Sequence, residues 1–153
     1  FGEVEGGTYI PENSTLDIGP ESQVHIHQKL RTIFVWGRGD KTAVVHVHAE
    51  INEIWVWGNA EVHVHHFCPK VYASERAVVH CDAPETFVIV TDGSSCHVEK
   101  GVRVSGYGEA QIYAPSGMQI GLSGYALWHV TDQLGVVRGN QSTYRGGYMV
   151  KHY

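Results

Sequence analysis

Two segments of the chain repeat one another and decide the fold: residues 24–37 read VHIHQKLRTIFVWG and residues 45–58 read VHVHAEINEIWVWG. Both copies share the valines, the histidines and a final tryptophan and glycine. A third, less complete copy, VHVHHFCPKVYAS, follows at residues 62–74. Repetition of residue identities at such a period is typical of structural units that stack on one another.

Short β-type runs continue along the chain in two alternating series. The first series begins near residues 24, 45, 62, 78, 95 and 111, and the second begins near residues 33, 54, 71, 87, 102 and 118. Glycine, aspartate, asparagine and proline separate the runs, and no segment of ten or more residues has helical apolar spacing. The pattern predicts an all-β chain.

The regular spacing of these strands predicts a single-domain parallel β-solenoid with two strands per turn and roughly 16–21 residues per turn. Equivalent strands of successive turns would then stack about 4.8 Å apart. Antiparallel hairpins would give similar spacing, but they would not explain why residue identities repeat. We expect the solenoid to occupy residues 23–130, with residues 1–22 as an N-terminal segment or cap and residues 131–153 as a C-terminal cap or arm.

The composition limits the classes of partner. The chain has 153 residues, of which 42 % are apolar and 18 % are charged, as in one globular domain. Its net charge of −5 argues against nucleic acid as a partner, because phosphate binding needs clustered lysine and arginine. The chain has no apolar run long enough to cross a bilayer, so we expect no membrane-spanning helix.

The repeated VHxH-type segments predict two columns of outward imidazoles. Alternation along a strand directs valine or isoleucine to the core and histidine to the opposite face. The six histidines concerned are His25, His27, His46, His48, His63 and His65. One interpretation is that these histidines simply form a polar, solvent-exposed face. The other is that they bind a transition metal such as zinc or iron, because an HxH motif directs two imidazoles to the same side of the strand. Stacked imidazoles also predict loss of stability in mild acid, where like charges repel.

The three cysteines, Cys68, Cys81 and Cys96, are predicted to be small core residues rather than ligands of a zinc site shared with nearby histidines. No catalytic set is apparent either. Ser94 and His97 are close in sequence but show no nucleophile-elbow pattern. We therefore do not expect an enzyme from the residues alone.

Residues 39–58, GDKTAVVHVHAEINEIWVWG, resemble the first motif of the cupin family, which has a glycine, HxH, then a glutamate and another glycine shortly after. The resemblance implies a metalloprotein, or a metalloenzyme, in which His46, His48 and Glu53 bind the metal. The second cupin motif is echoed at Pro115-Ser-Gly117, where Ile120 stands at the position of the fourth ligand.

The repeated HxH strands also resemble phage tail-spike and fibre tips, which are trimeric all-β proteins whose histidines can enclose iron. This resemblance implies a structural role without catalysis and a glycan or particle-assembly partner. It also implies a location on a virion or outside the cell.

The second series of strands is apolar on both faces. Its outward aromatic residues are Phe34, Trp36, Trp55, Trp57 and Tyr72. A strand that is apolar on both faces is normally covered on both. The cover could be a second copy of the chain, residues 131–153, or a sugar stacked on the rings. We expect a homo-oligomer, and thus a structural or binding module that self-associates through this face, with the cupin-like metal site as the alternative.

Overall fold

The computed structural model describes residues 2–4, 14–132, 135–138, 142–145 and 148–151. These residues form eighteen strands, numbered here in chain order, and contain no helix. The first sheet consists of β1 (Gly2–Val4), β3 (Gln23–Ile26), β5 (Ala43–Val47), β7 (Ala60–Val64), β9 (Val78–Cys81), β11 (Ser95–Val98), β13 (Gln111–Ala114), β15 (Leu127–Val130) and β16 (Val136–Arg138). The second sheet consists of β2 (Thr15–Ile18), β4 (Leu30–Trp36), β6 (Ile51–Trp57), β8 (Lys70–Ala73), β10 (Phe87–Val90), β12 (Arg103–Gly106) and β14 (Ile120–Leu122). A separate antiparallel hairpin joins β17 (Ser142–Arg145) to β18 (Tyr148–Lys151).

The chain alternates between the two sheets, so each turn contributes one strand to each, and about seven turns stack along one axis. Neighbouring strands are parallel from β1 to β15 and from β2 to β14, whereas β16 closes the first sheet in the antiparallel direction. The predicted all-β parallel solenoid is confirmed. The assignment of residues 1–22 and 131–153 as caps stays a prediction. Within residues 1–22, β1 and β2 pair with the first and the second sheet, respectively.

Each strand places alternate side chains in a core between the sheets. Val45, Val47, Val62 and Val64 are fully buried, as the repeat predicts. β-Branched side chains suit this core because they pack well on a pleated strand, and the repeat places the same residue type on successive turns. Near the last turns a larger residue fills the core: Trp128 is fully buried, and its indole Nε1 donates to the carbonyl oxygen of Ala114 at 3.0 Å.

The repeated WG sequence ends strands β4 and β6 at a corner where two turns are in close contact. Gly58 has a φ of +66°, and a β-carbon there would overlap the carbonyl oxygen of Gly37. A β-carbon on Gly37 would in turn overlap the carbonyl oxygen of Asn59. The two glycines therefore let consecutive turns approach where no side chain fits.

The three cysteines are free and buried, which confirms their predicted place in the core. Burial raises the pKa of the Cys68 thiol to about 12, and it also raises the pKa of Cys81 and Cys96. His80 precedes Cys81 on β9 and His97 follows Cys96 on β11, so in both pairs the imidazole lies on the face of the strand opposite the thiol.

Candidate functional site

A column of stacked rings runs along the outer face of the first sheet. Because the parallel strands pair without a shift in register, residues at the same position of successive turns lie directly over one another. The column, called here the long column, consists of His25, His46, His63, His80, His97, Tyr113 and His129. Consecutive ring centroids are 4.4–4.8 Å apart.

The HxH repeat in the sequence predicts only the first three turns of the long column. Its continuation through His80, His97, Tyr113 and His129 was missed, because these strands lack the second histidine of the HxH motif. The signal was available in the spacing, since these four residues follow His63 at a nearly constant interval along the chain. That interval is one turn of the solenoid.

A second, shorter column lies beside the first. The short column consists of His27, His48 and His65, with centroid separations of 4.7 and 5.1 Å. Asp82 continues it on the next turn, with a carboxylate oxygen 3.5 Å from Nδ1 of His65. Both columns of the six predicted imidazoles are thus present on the outer face, as the alternation predicts.

The two columns touch along diagonals. Nδ1 of His25 lies 3.2 Å from Nε2 of His48, and Nδ1 of His46 lies 3.4 Å from Nε2 of His65. In each pair one nitrogen donates a hydrogen and the other accepts it, which requires at least one ring to be neutral. The same separations match those between ligands of a tetrahedral zinc ion, roughly 3.3–3.4 Å for bonds of about 2.0–2.1 Å.

Among the described residues, two groups of three imidazoles have nitrogens close enough to bind one metal ion. They are His25 with His27 and His48, and His46 with His63 and His65, and within each group the ligand atoms lie within 4.8 Å of one another. The sequence predicted these six residues as candidate ligands but did not determine which of them meet. The structure combines residues of one turn with residues of the next.

A carboxylate outside the HxH motifs, that of Glu61, contacts the long column. Glu61 lies on β7 two positions before His63, and its Oε2 is 3.3 Å from Nε2 of His63. Its Oε1 is 3.1 Å from Nε2 of His80 on the next turn. Glu61, His63 and His80 form a third group whose ligand atoms lie within 4.8 Å of one another.

The local electrostatics favour the neutral form of two imidazoles of the long column, His46 and His97. Burial lowers the pKa of His46, and the neighbouring imidazoles of His63 and His25 lower it further. The pKa of His97 is also lowered, first by burial and then by His80. Burial by itself raises the pKa of Glu61, but hydrogen bonds and charges from His63 and His80 outweigh this, so the pKa lies below its ordinary value.

Glu53, the third ligand implied by the cupin resemblance, lies elsewhere. It is on β6 in the second sheet, in register with Thr32 and Lys70, on the same face as Trp55. His46 lies on the outer face of the first sheet. The structure therefore does not bring Glu53 together with His46 and His48, and the described residues contain no metal-binding group that includes it.

Five outward aromatic residues of the second sheet form one surface, called here the aromatic patch: Phe34, Trp36, Trp55, Trp57 and Tyr72. The rings of Trp55 and Tyr72 stack with centroids 4.1 Å apart, and Phe34 meets Trp57 edge to face at 6.0 Å. Trp36 is held by its indole Nε1, which donates to Asp17 at 2.7 Å. Trp55 remains 38 % exposed.

One alternative from the sequence is that residues 131–153 cover the aromatic patch. In the described part of that segment, β17 contacts β14. In the second sheet β14 is five strands from β4, which corresponds to roughly 24 Å. The aromatic patch extends from β4 to β8, and β8, its nearest strand, is three strands from β14.

An open groove of about 880 Å³ lies along the first sheet. Its lining combines imidazoles of the long column with carboxylates at the edge, among them His80, His97, Asp82 and Glu99. Asp82 and Glu99 occupy equivalent positions on consecutive turns, since Cys81 and Val98 pair directly before them. Polar ligands and cations are the chemistry that such a lining suits.

These features define the molecule as a parallel β-solenoid with a column of imidazoles on one face and an aromatic patch on the other. Comparison with known proteins finds no matching family profile, no similar curated protein and no similar solved structure. No helix that could span a membrane occurs in the described part of the chain.

Proposed function

We propose that the protein is a non-enzymatic structural or binding module that assembles with further copies of itself through the aromatic patch. The stacked pair Trp55 and Tyr72 carries this proposal, since Trp55 is 38 % exposed on the outer face of β6. Exposed aromatic residues that cluster on a rigid sheet are typical of an interface, because their burial removes a large apolar area from water at little entropic cost.

The charges around the aromatic patch are compatible with contact between identical surfaces. Glu53 and Lys70 are in register on neighbouring strands at its edge, so their opposite charges balance locally. In a two-fold contact the same patch meets itself, and Glu53 of one copy can then face Lys70 of the other. Such pairing would fix the orientation of the two copies more than it would add affinity.

The polar residues near the core support a role without catalysis. Ser94 is fully buried, and its hydroxyl donates to the carbonyl oxygens of Thr91 at 2.6 Å and Ala73 at 3.2 Å. A hydroxyl held in this way stabilises the corner of a turn and is not accessible as a nucleophile. A rigid stack with an adhesive face suits an assembled particle or surface appendage, on a virion or outside the cell, where a glycan is the other candidate partner.

The native mass in solution tests the assembly. Sedimentation equilibrium of the wild-type chain should give a multiple of the chain mass, and Trp55→Ser combined with Tyr72→Ser should give the monomer. Tyr125→Ser is the matched control, because Tyr125 is 75 % exposed and lies outside the aromatic patch. A wild-type monomer at all concentrations, or a mass unaffected by the double substitution, would contradict the proposal.

A second candidate function is binding of zinc or iron by the three-imidazole groups. The observation that favours it is the 3.2 and 3.4 Å separation of the paired nitrogens, which matches the spacing of ligands in a tetrahedral site. Zinc titration of the wild-type protein and of His48→Gln tests it, with His66→Gln as the control. His66 is exposed and belongs to none of the groups. Equal zinc binding by all three proteins would count against these sites.

A further inference from the structure

We propose that Glu61, His63 and His80 form a binding site for a divalent transition metal of the zinc type, held by two imidazoles and one carboxylate. The three side chains come from two consecutive turns, β7 and β9, and their ligand atoms lie within 4.8 Å of one another. This site does not depend on assembly through the aromatic patch, and it differs in chemistry from the three-imidazole groups.

The backbone places the three ligands before any metal arrives. Glu61 and His63 are two positions apart on β7 and therefore face the same side of the strand. His63 and His80 are register partners on paired parallel strands, with ring centroids 4.5 Å apart. Val62 and Val79, fully buried beneath them, hold this register, because a shift of either strand by one residue would turn its valine out of the core.

The contacts of Glu61 already resemble a coordination sphere without the ion. Its two carboxylate oxygens are 3.3 Å from Nε2 of His63 and 3.1 Å from Nε2 of His80. These separations approach the roughly 3.3–3.4 Å between ligands around a tetrahedral ion with bonds of about 2.0–2.1 Å. Because each Nε2 lone pair lies in the plane of its ring and the two rings are inclined by only 6°, both imidazoles must tilt toward one another to bind an ion between the three groups.

The chemistry of the donors suits a metal of intermediate softness. Neutral imidazole and carboxylate are common ligands of zinc, and the carboxylate offsets one of the two positive charges of the ion, which a group of three imidazoles cannot do. In the metal-free state each Nε2 carries the hydrogen donated to Glu61. Binding requires that hydrogen to move to Nδ1, so that Nε2 presents its lone pair to the ion.

Neighbouring rings stack on both ligand imidazoles. His46 stacks on His63 at 4.4 Å, and His97 stacks on His80 at 4.8 Å. All three ligand residues are half-buried, which strengthens electrostatic attraction to the ion while leaving it accessible. With three protein ligands, a tetrahedral ion keeps one position for water or another molecule.

The experiment titrates Zn²⁺ into metal-free protein and measures affinity and stoichiometry by calorimetry, with Co²⁺ absorption as a report on the ligands. Glu61→Gln and His80→Gln should each weaken one site by more than the roughly 10–100-fold that loss of an outer-shell partner causes. Glu61→Gln should also change the cobalt spectrum. His97→Gln is the matched control, since His97 stacks on His80 but offers no ligand. Far-UV circular dichroism checks that each variant is folded.

His63 also belongs to the group with His46 and His65, so His65→Gln separates the two sites. Glu61→Gln and His80→Gln are expected to weaken one zinc site. If His65→Gln leaves the zinc affinity of that site and the cobalt spectrum unchanged, the mixed carboxylate–imidazole site is supported. Binding that is lost in His65→Gln but kept in Glu61→Gln would overturn the proposal in favour of the three-imidazole group. Absence of a stoichiometric zinc site in the wild-type protein would overturn both.

Discussion

His46 and His63 stack face to face on consecutive turns, with ring centroids 4.4 Å apart and planes inclined by 13°. Four imidazoles surround His46 in all, those of His25, His48, His63 and His65. Stacking at this distance is favourable for neutral rings, whereas protonation of neighbours places like charges about one strand spacing apart. The stability of the folded chain is therefore expected to depend on the protonation state of the histidines in the long column.

The first prediction is that the metal-free protein loses stability as the pH falls below about 6.5. The pKa of His46 and of His97 is lower in the folded protein than its ordinary value of 6.5. The unfolded chain therefore binds protons first, so these groups make the free energy of unfolding decrease from pH 6.5 down through their folded pKa. Urea denaturation at pH 7.5 and pH 5.5, in the presence of a chelator, measures this decrease in the free energy of unfolding.

His46→Gln is the control for this prediction, because it removes a ring that has four imidazole neighbours and a lowered pKa without placing a new charge in the column. Its urea midpoint should change less between pH 7.5 and pH 5.5 than that of the wild type. The lowered pKa of Glu61 acts only at more acidic pH, since its ordinary value is 4.5. Equal wild-type midpoints at the two pH values would refute the expected effect of the column.

The second prediction concerns the corner glycines. Gly58→Ala should destabilise the protein by well over the roughly 1–2 kcal/mol that a left-handed residue costs, because its β-carbon also overlaps the carbonyl oxygen of Gly37. Gly39→Ala is the matched control: Gly39 has a similar φ of +61°, but nothing lies near its would-be β-carbon. Thermal denaturation measures the loss of stability of each variant relative to the wild type. A loss for Gly39→Ala as large as that for Gly58→Ala would show that close packing of the turns contributes nothing.

The third prediction is that the thiols of the folded protein do not react. Cys68, Cys81 and Cys96 are buried, and burial raises their pKa, to about 12 for Cys68, so the reactive thiolate is scarce at neutral pH. A thiol reagent such as DTNB should label none of the three rapidly in native protein and all three in urea. Fast labelling of one native cysteine would mean that its turn opens readily.

The fourth prediction concerns the core near the end of the stack. Trp128→Ala should lower the free energy of unfolding by about 3–5 kcal/mol, because it leaves a large cavity and removes the hydrogen bond to the carbonyl oxygen of Ala114. Tyr125→Ala, at a 75 % exposed site slightly earlier in the chain, should change the free energy by less than about 0.5 kcal/mol. Chemical denaturation distinguishes the two. Similar effects of both substitutions would argue that the last turns are not closely packed.

Much of the fold was open to prediction because its cause is local. Side chains alternate with a period of two along every strand, so the VHxH pattern alone assigns valine to the core and histidine to the outer face. The repeat interval then indicates stacked turns, since equivalent residues recur after each unit of the repeat. The same reasoning placed the aromatic residues of β4 and β6 on one outer surface.

The partners of each side chain were decided only by the tertiary structure. Glu53 follows His48 closely in sequence, yet the chain turns a corner between them, so they belong to different sheets. His80 is far from His63 in sequence and stacks directly on it. Residues that are one solenoid turn apart in the sequence are neighbours in space, because parallel pairing brings equivalent strands within about 4.8 Å of one another. The sequence thus determined which face each histidine occupies, whereas the register between turns decided that Glu61, His63 and His80 meet.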